Sequence, residues 1–285
     1  MGDLRDKVKA VSCNSWKKLS TEFEQISYAK DGLGEENHWI YRGHGNRDWW
    51  LKPSVELFQE SLTAPRLPYS IRQLEQQFFF DFKSSAAQFL ANLPESHEML
   101  EWLAVMQHYG TPTRLLDWTY SPAFAAYFAL RSKPDPHNPC DGTAACVWAL
   151  NLGRLRRLLI KKLRKKDWAS TYKVGLGNVV RDAGPALVMP FLPQNRYSRM
   201  SAQQGLFLVK TLSRVGFMST LDGMCSLDDS DFLKSFVIPH DQRIRMLGHL
   251  LEQNIHEVGI FPGADGLGRF VRIKVEVQAQ TLGLM

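Results

Sequence analysis

The 285 residues include only four cysteines, Cys13, Cys140, Cys146 and Cys225, with no CxxC pair and no zinc-like spacing. A disulfide scaffold and a structural zinc site find no support here, no metal is expected, and a reducing compartment is the simpler reading. Apolar stretches such as Pro122 to Leu130 fall far short of the roughly 20 residues that cross a bilayer. The opening Met1–Asp6 is charged within three residues, no apolar region follows it, and Asp6 stands where a myristoylation pattern needs Ser or Thr. The expectation is a soluble, cytoplasmic protein without a membrane partner. GxxxxGKS, GxxxxGKT, HExxH and GxSxG are absent too, which leaves kinase, zinc-hydrolase and serine-hydrolase chemistry unsupported.

What remains is a chain with 44% hydrophobic residues, enough for a sizeable core, and a net charge of +6 that suits a nucleotide or nucleic-acid partner without requiring one. The first thirty residues predict a helical lead-in, with Trp16, Leu19, Phe23 and Ile26 on one face behind a cap at Asn14 or Ser15. After a break at Asp31–Gly34, residues 38–41 read as a strand that delivers Arg42 to a turn over Gly43, His44, Gly45 and Asn46. Helices are expected over about 70–90 and 95–108, the first striped by Leu74, Phe78, Phe82 and Ala86. Pro112 keeps 111–119 from being helical throughout, and Ser121-Pro122 opens a helix with a low-bulk face. Residues 143–150 read as a buried strand and 153–166 as a basic helix, while 168–184 support no assignment. Short strands follow near 186–189, 206–212 and 232–238, then a helix near 241–253 and an extended segment over 256–261. Pro262-Gly263 should turn the chain into a short last helix, with a final strand over 272–277. This mixture, without strict alternation, predicts an α+β fold: a small mixed or antiparallel sheet surrounded by helices. One domain over 31–285 would carry the 1–30 lead-in packed against it.

Three constellations could carry chemistry. Arg42, leaving a strand beside glycines that admit a ligand to the backbone, has the geometry of a phosphate clamp, or else it pairs with a carboxylate such as Asp117 as scaffold. The run from His108 to Ala129 concentrates His108, Tyr109, Arg114, Asp117, Thr119 and Ser121 in non-helical backbone ahead of a helix N-terminus. Such polar, irregular chain either builds a site or is paired internally. Thr119 and Ser121 could face an anion at the helix end or merely cap it. In the third, Glu257 could stabilise an oxocarbenium-like centre or lie on the surface, and Asp265 reads as a turn residue. Eight cations over 154–166 suit either phosphates or solvent.

Tyr41-Arg42-Gly43-His44, Trp50-Leu51-Lys52-Pro53-Ser54, the long run from His108 to Thr119 with Pro122 to Ala129, Ala202 to Phe207, and Phe261-Pro262-Gly263 with Asp265-Gly266-Leu267 resemble the FRG-domain family in order and spacing. The likeness extends over roughly residues 10 to 275. Tyr41 stands where the family's name-giving Phe would be. The aromatic-Arg-Gly strand is in turn similar to the first strand of mono-ADP-ribosyltransferases. That resemblance implies an ADP-ribosyltransferase-like fold with NAD as substrate. It implies Arg42 as clamp on the NAD diphosphate, Thr119 or Ser121 as the hydroxyl position, and Glu257 as the acid that assists loss of nicotinamide, although the usual ExE or QxE pair is missing. Gly43, His44, His108, Tyr109 and Arg114 complete the expected cofactor-contacting set. The implied activity is ADP-ribosyl transfer to nucleic acid or an acidic protein, as a toxin or antiphage effector; the alternative is a non-catalytic module that binds nucleotide or nucleic acid.

Overall fold

The computed structural model describes residues 8–28, 38–62, 70–132, 144–194, 204–224, 232–261 and 264–282. Strand β1 (Ala10–Ser12) and helix α1 (Trp16–Tyr28) lead to β2 (Trp39–His44), then to α2 (Ser54–Ser61), α3 (Ile71–Ala86) and α4 (Met99–His108). Strand β3 (Leu115–Thr119), helix α5 (Pro122–Leu130), strand β4 (Ala144–Asn151) and helices α6 (Leu152–Lys162) and α7 (Trp168–Arg181) follow. The chain continues through β5 (Val188–Phe191), β6 (Gly205–Lys210), α8 (Phe217–Met224) and β7 (Leu233–Pro239), then α9 (Arg243–Glu252), α10 (Glu257–Ile260) and α11 (Ala264–Thr281). None of the described helices is long and apolar enough to cross a membrane.

The strands form one sheet in the order β1-β7-β4-β2-β3-β6-β5. Only β1 and β7 run parallel; the other pairs are antiparallel. The fold is therefore α+β with a mixed sheet, larger than the small one expected. All eight residues of β4 are buried, which fits a strand near the centre covered on both faces. Successive side chains of β2 and β4 alternate between two apolar layers, as strand geometry demands. Ile40, Cys146, Trp148 and Leu150 join the layer built with α4, α6, α7 and α8. Trp39, Tyr41, Ala145, Val147 and Ala149 join the layer built with α1, α5, α9 and α11. The helical lead-in is part of this second layer, where Phe23 meets Tyr41 and Phe236 edge to face at 5.4 and 5.2 Å. Cys13 and Cys146 are buried and outside any disulfide, and burial pushes the Cys13 thiol up to about 11. Cys140 and Cys225, like the Asp31–Gly34 break and Pro262-Gly263, lie outside the described residues.

Two local expectations are corrected, and one stretch without an assignment gains one. Strand β2 does not turn at Gly43 but runs through it to His44, paired with β4 along its whole length. Glycine is needed there for a reason other than a turn: a Cβ at position 43 would lie 2.0 Å from the Ala125 carbonyl oxygen and 2.5 Å from the Ala129 nitrogen of α5. Residues 168–181 are helical, capped by the Asp167 side chain on the Ser170 N–H. The interior Gly175 of that helix admits the Met189 side chain, since a Cβ would stand 2.1 Å from Met189 Cε. The stretch 272–277 is not a strand. Val271, Ile273, Val275 and Val277 alternate in sequence, yet on α11 Ile273 is buried while Val271 and Val275 are exposed.

Candidate ligand-binding cavity

β2 and β3 are neighbours in the sheet, yet they pair at Tyr41 and Thr119 alone, whereas each is fully paired with its other neighbour. Beyond that point the sheet divides. A cavity of about 850 Å³ lies at the division, lined by Arg42, Gly43 and His44 from one strand and Asp117, Trp118 and Thr119 from the other. A side chain replaces the missing ladder: Arg42 Nη1 donates to the Asp117 carbonyl at 2.7 Å, and Nε donates to His44 Nε2 at 3.0 Å. The latter bond leaves the proton of a neutral His44 on Nδ1.

Both acceptors of Arg42 are formally uncharged. The Asp117 carboxylate stays 3.8 Å from Nη1, and its Oδ2 accepts from Gln107 Nε2 at 2.8 Å. The guanidinium thus spends two of its five N–H groups on neutral partners and keeps its charge facing the cavity, with its side chain 23% exposed. Burial lowers its pKa from the ordinary value while Asp117 opposes the shift, and an arginine remains cationic throughout.

The rest of the wall mixes aromatic and basic side chains with apolar ones and the acidic Asp48. Trp49 and Trp50, 50% and 37% exposed, stand on one side. Gln107 and His108 project from the end of α4, and Lys52 lines the wall while paired with Glu60 at 2.6 Å. From the opposite face of the sheet come Phe128 and Arg131, at the end of α5, and Phe261. Neither α6 nor the basic segment that follows it contributes a lining residue.

Much of the polar run from 108 to 121 is paired internally. The Thr113 N–H donates to Ser54 Oγ at 2.9 Å, and its hydroxyl donates to Gln107 Oε1. Arg114, 2% exposed, is locked in an ion pair with Glu75, with Asp182 at 3.7 Å. Its Nε donates to Glu75 Oε2 at 2.5 Å and its backbone N–H to Oε1 at 3.0 Å. The Thr119 hydroxyl accepts from the Ser121 N–H at 3.0 Å, and Ser121 Oγ accepts from the Phe124 N–H at 3.3 Å to cap α5.

The sequence model of the FRG domain family matches residues 37–138. Over that stretch, somewhat more than a third of its length, the chain is similar to the FRG domain. No curated protein and no solved structure matches the chain. The FRG match spans β2 to the end of α5 and so includes Arg42, Asp117, Thr119 and Arg131. Strands β4 and β6, which complete the divided sheet, and the helices after residue 240 lie beyond it.

Of the residues singled out in sequence, the fold brings Arg42, Gly43, His44, His108 and Thr119 to the cavity. Ser121 caps α5 instead, and Tyr109, 52% exposed, packs edge-on against His108 outside the lining. Arg114 is sealed in the core, so it does not face a ligand. Glu257 is fully buried on α10 rather than on a strand, where Oε1 accepts from Arg131 Nη1 at 3.3 Å and Arg269 Nη1 at 3.1 Å. Gly43 lines the cavity, but the space its side chain would take belongs to α5. Trp49, Gln107, Arg131 and Phe261 were not singled out as candidates. The tandem Trp49-Trp50 after a glycine-rich segment was a usable signal; the other three depend on which helix ends meet.

Proposed function

We propose that the cavity binds NAD and that the protein transfers its ADP-ribose to a macromolecular acceptor. The observation that carries this reading is Arg42: a cation on the wall of an 850 Å³ cavity at the sheet's division, hydrogen-bonded to neutral acceptors and only distantly paired with the Asp117 carboxylate at 3.8 Å, with donors left for an anion. A diphosphate satisfies the guanidinium's remaining donors, and the Trp49 and Trp50 rings supply stacking surfaces for adenine or nicotinamide. Cleavage of the bond between ribose and nicotinamide leaves positive charge on the ribose, which a wall carboxylate can stabilise. Glu257 is not such a group, being fully buried behind Arg131 and Arg269. Asp117, 61% exposed and steadied through Gln107, takes that place in this reading. The exposed lysines at 161, 162, 165 and 166 offer a separate surface for an acidic protein or nucleic acid.

Purified protein tests the proposal with NAD in a nicotinamide-release assay and with ADP-ribose in titration calorimetry. Both signals are expected, and Arg42→Ala should abolish both without a substantial fall in Tm, because its partners are a carbonyl and a histidine rather than a buried carboxylate. Absence of ADP-ribose binding overturns the reading. The burial of Glu257 favours a second reading, nucleotide binding without turnover. Binding of NAD with no nicotinamide release would select it.

A further inference from the structure

We infer that Arg131 is a second anion-binding group of the cavity, for a phosphate distinct from the diphosphate on Arg42, and that Glu257 is the residue that positions it. The inference rests on the reading of the cavity as a dinucleotide site. Arg131 lines the cavity with its side chain 33% exposed. Only Nη1 is engaged, by Glu257 Oε1; among the described residues the Nε and Nη2 donors make no hydrogen bond. That free edge of the guanidinium is the one that meets two phosphate oxygens side by side. Cζ stands 5.4 Å from the ring centroids of both Phe128 and Phe261, which fixes the plane of the group before any ligand arrives.

The backbone beneath is equally constrained. Arg243 Nε donates to the carbonyls of Leu130 at 2.7 Å and Ser132 at 3.1 Å, and Nη2 donates to that of Arg131 at 3.3 Å. Arg243 is in turn paired at 3.0 Å with Glu276 on α11. The charge count completes the case. Glu257 lies between Arg131 and Arg269, so one carboxylate serves two guanidinia and the cluster keeps a positive charge beside the cavity. The neighbouring Tyr127 hydroxyl is pushed up by burial and by Glu257, so it adds no negative charge. Ser132, also on the wall, adds a hydroxyl next to Arg131. The ligand this arrangement fits carries a phosphate beyond its diphosphate, as a 2′-phosphorylated dinucleotide does.

The test compares ADP-ribose with ADP-ribose 2′-phosphate by titration calorimetry on the full chain. A charge-assisted phosphate contact should make the 2′-phosphate form bind about tenfold more tightly, or better. Arg131→Met should erase the preference while leaving ADP-ribose affinity within about twofold, Arg131→Lys should keep part of it, and Glu257→Gln should weaken it while retaining ADP-ribose. Equal affinities in the wild type, or a preference that survives Arg131→Met in a variant with native circular dichroism, overturn the inference and leave the dinucleotide reading intact. Failure of both ligands to bind overturns the dinucleotide reading instead. Tungstate soaked into crystals then decides the anion site alone: an ion on Arg131 upholds it, and an ion on Arg42 only, or on neither, overturns it.

Discussion

Replacing Gly43 by alanine tests whether the sheet and α5 are packed backbone to backbone. The added Cβ would lie 2.0 Å from the Ala125 oxygen, and a carbon–oxygen contact settles at about 3.3–3.6 Å, so the helix or strand must retreat by about 1.3 Å. Both obstacles, the Ala125 oxygen and the Ala129 nitrogen, are main-chain atoms, so no rotamer change relieves the clash. Overpacking of this kind costs about 1–3 kcal/mol, and the upper end applies where nothing yields. For a chain of this size each kcal/mol lowers Tm by about 2–4 °C, so a fall of about 6–12 °C is expected in a thermal melt followed by circular dichroism. Gly45→Ala is the matched control: its nearest neighbour would be 3.9 Å away and its φ is not in the left-handed region, so its effect should stay within about 0.5 kcal/mol. A Gly43→Ala protein melting within about 2 °C of wild type, or a Gly45→Ala protein equally damaged, would refute the reasoning.

Two further outcomes follow from the buried charges. Glu75→Ala leaves Arg114 buried without its main partner and should cost about 3–5 kcal/mol in urea unfolding, whereas Glu75→Leu combined with Arg114→Met should recover most of that loss; a single variant as stable as wild type would contradict the assignment. Burial acts to raise the Asp182 carboxyl, but hydrogen bonds from the Ser213 N–H and hydroxyl, with Arg114 and Arg72 nearby, hold it below the ordinary aspartate range. A lowered folded pKa adds stability above the unfolded value near 3.9 and loses it as pH falls through the folded value, so Asp182→Asn should flatten the drop in Tm below about pH 4.

The strand carrying Arg42, the cap at Ser121 and the helical lead-in were legible because each depends on local chemistry: β-branched and aromatic residues, a hydroxyl before Pro122, apolar spacing on α1. The fates of Arg114 and Glu257 were not. Arg114 finds its carboxylate 39 residues earlier, and Glu257 meets a guanidinium 126 residues away, contacts that no window of sequence contains. Glycine misled at position 43, and Gly175 lies in a stretch that supported no assignment. At Gly43 and Gly175 glycine marks close approach by another element, which in sequence looks the same as a turn or a helix break. The alternating valines of α11 imitated a strand because a half-exposed helix can place apolar residues on both of its flanks.

The position of β1 at the outer margin of the sheet bears on how the protein behaves in concentrated solution. Three short residues docked in parallel along β7 occupy main-chain groups that would otherwise be open to a strand from another molecule. At the far margin, Pro190 within β5 withholds an N–H from any such encounter. Trimming the chain back to α1 would therefore uncover the main-chain groups of β7 at Ser235–Val237 as a template for self-association.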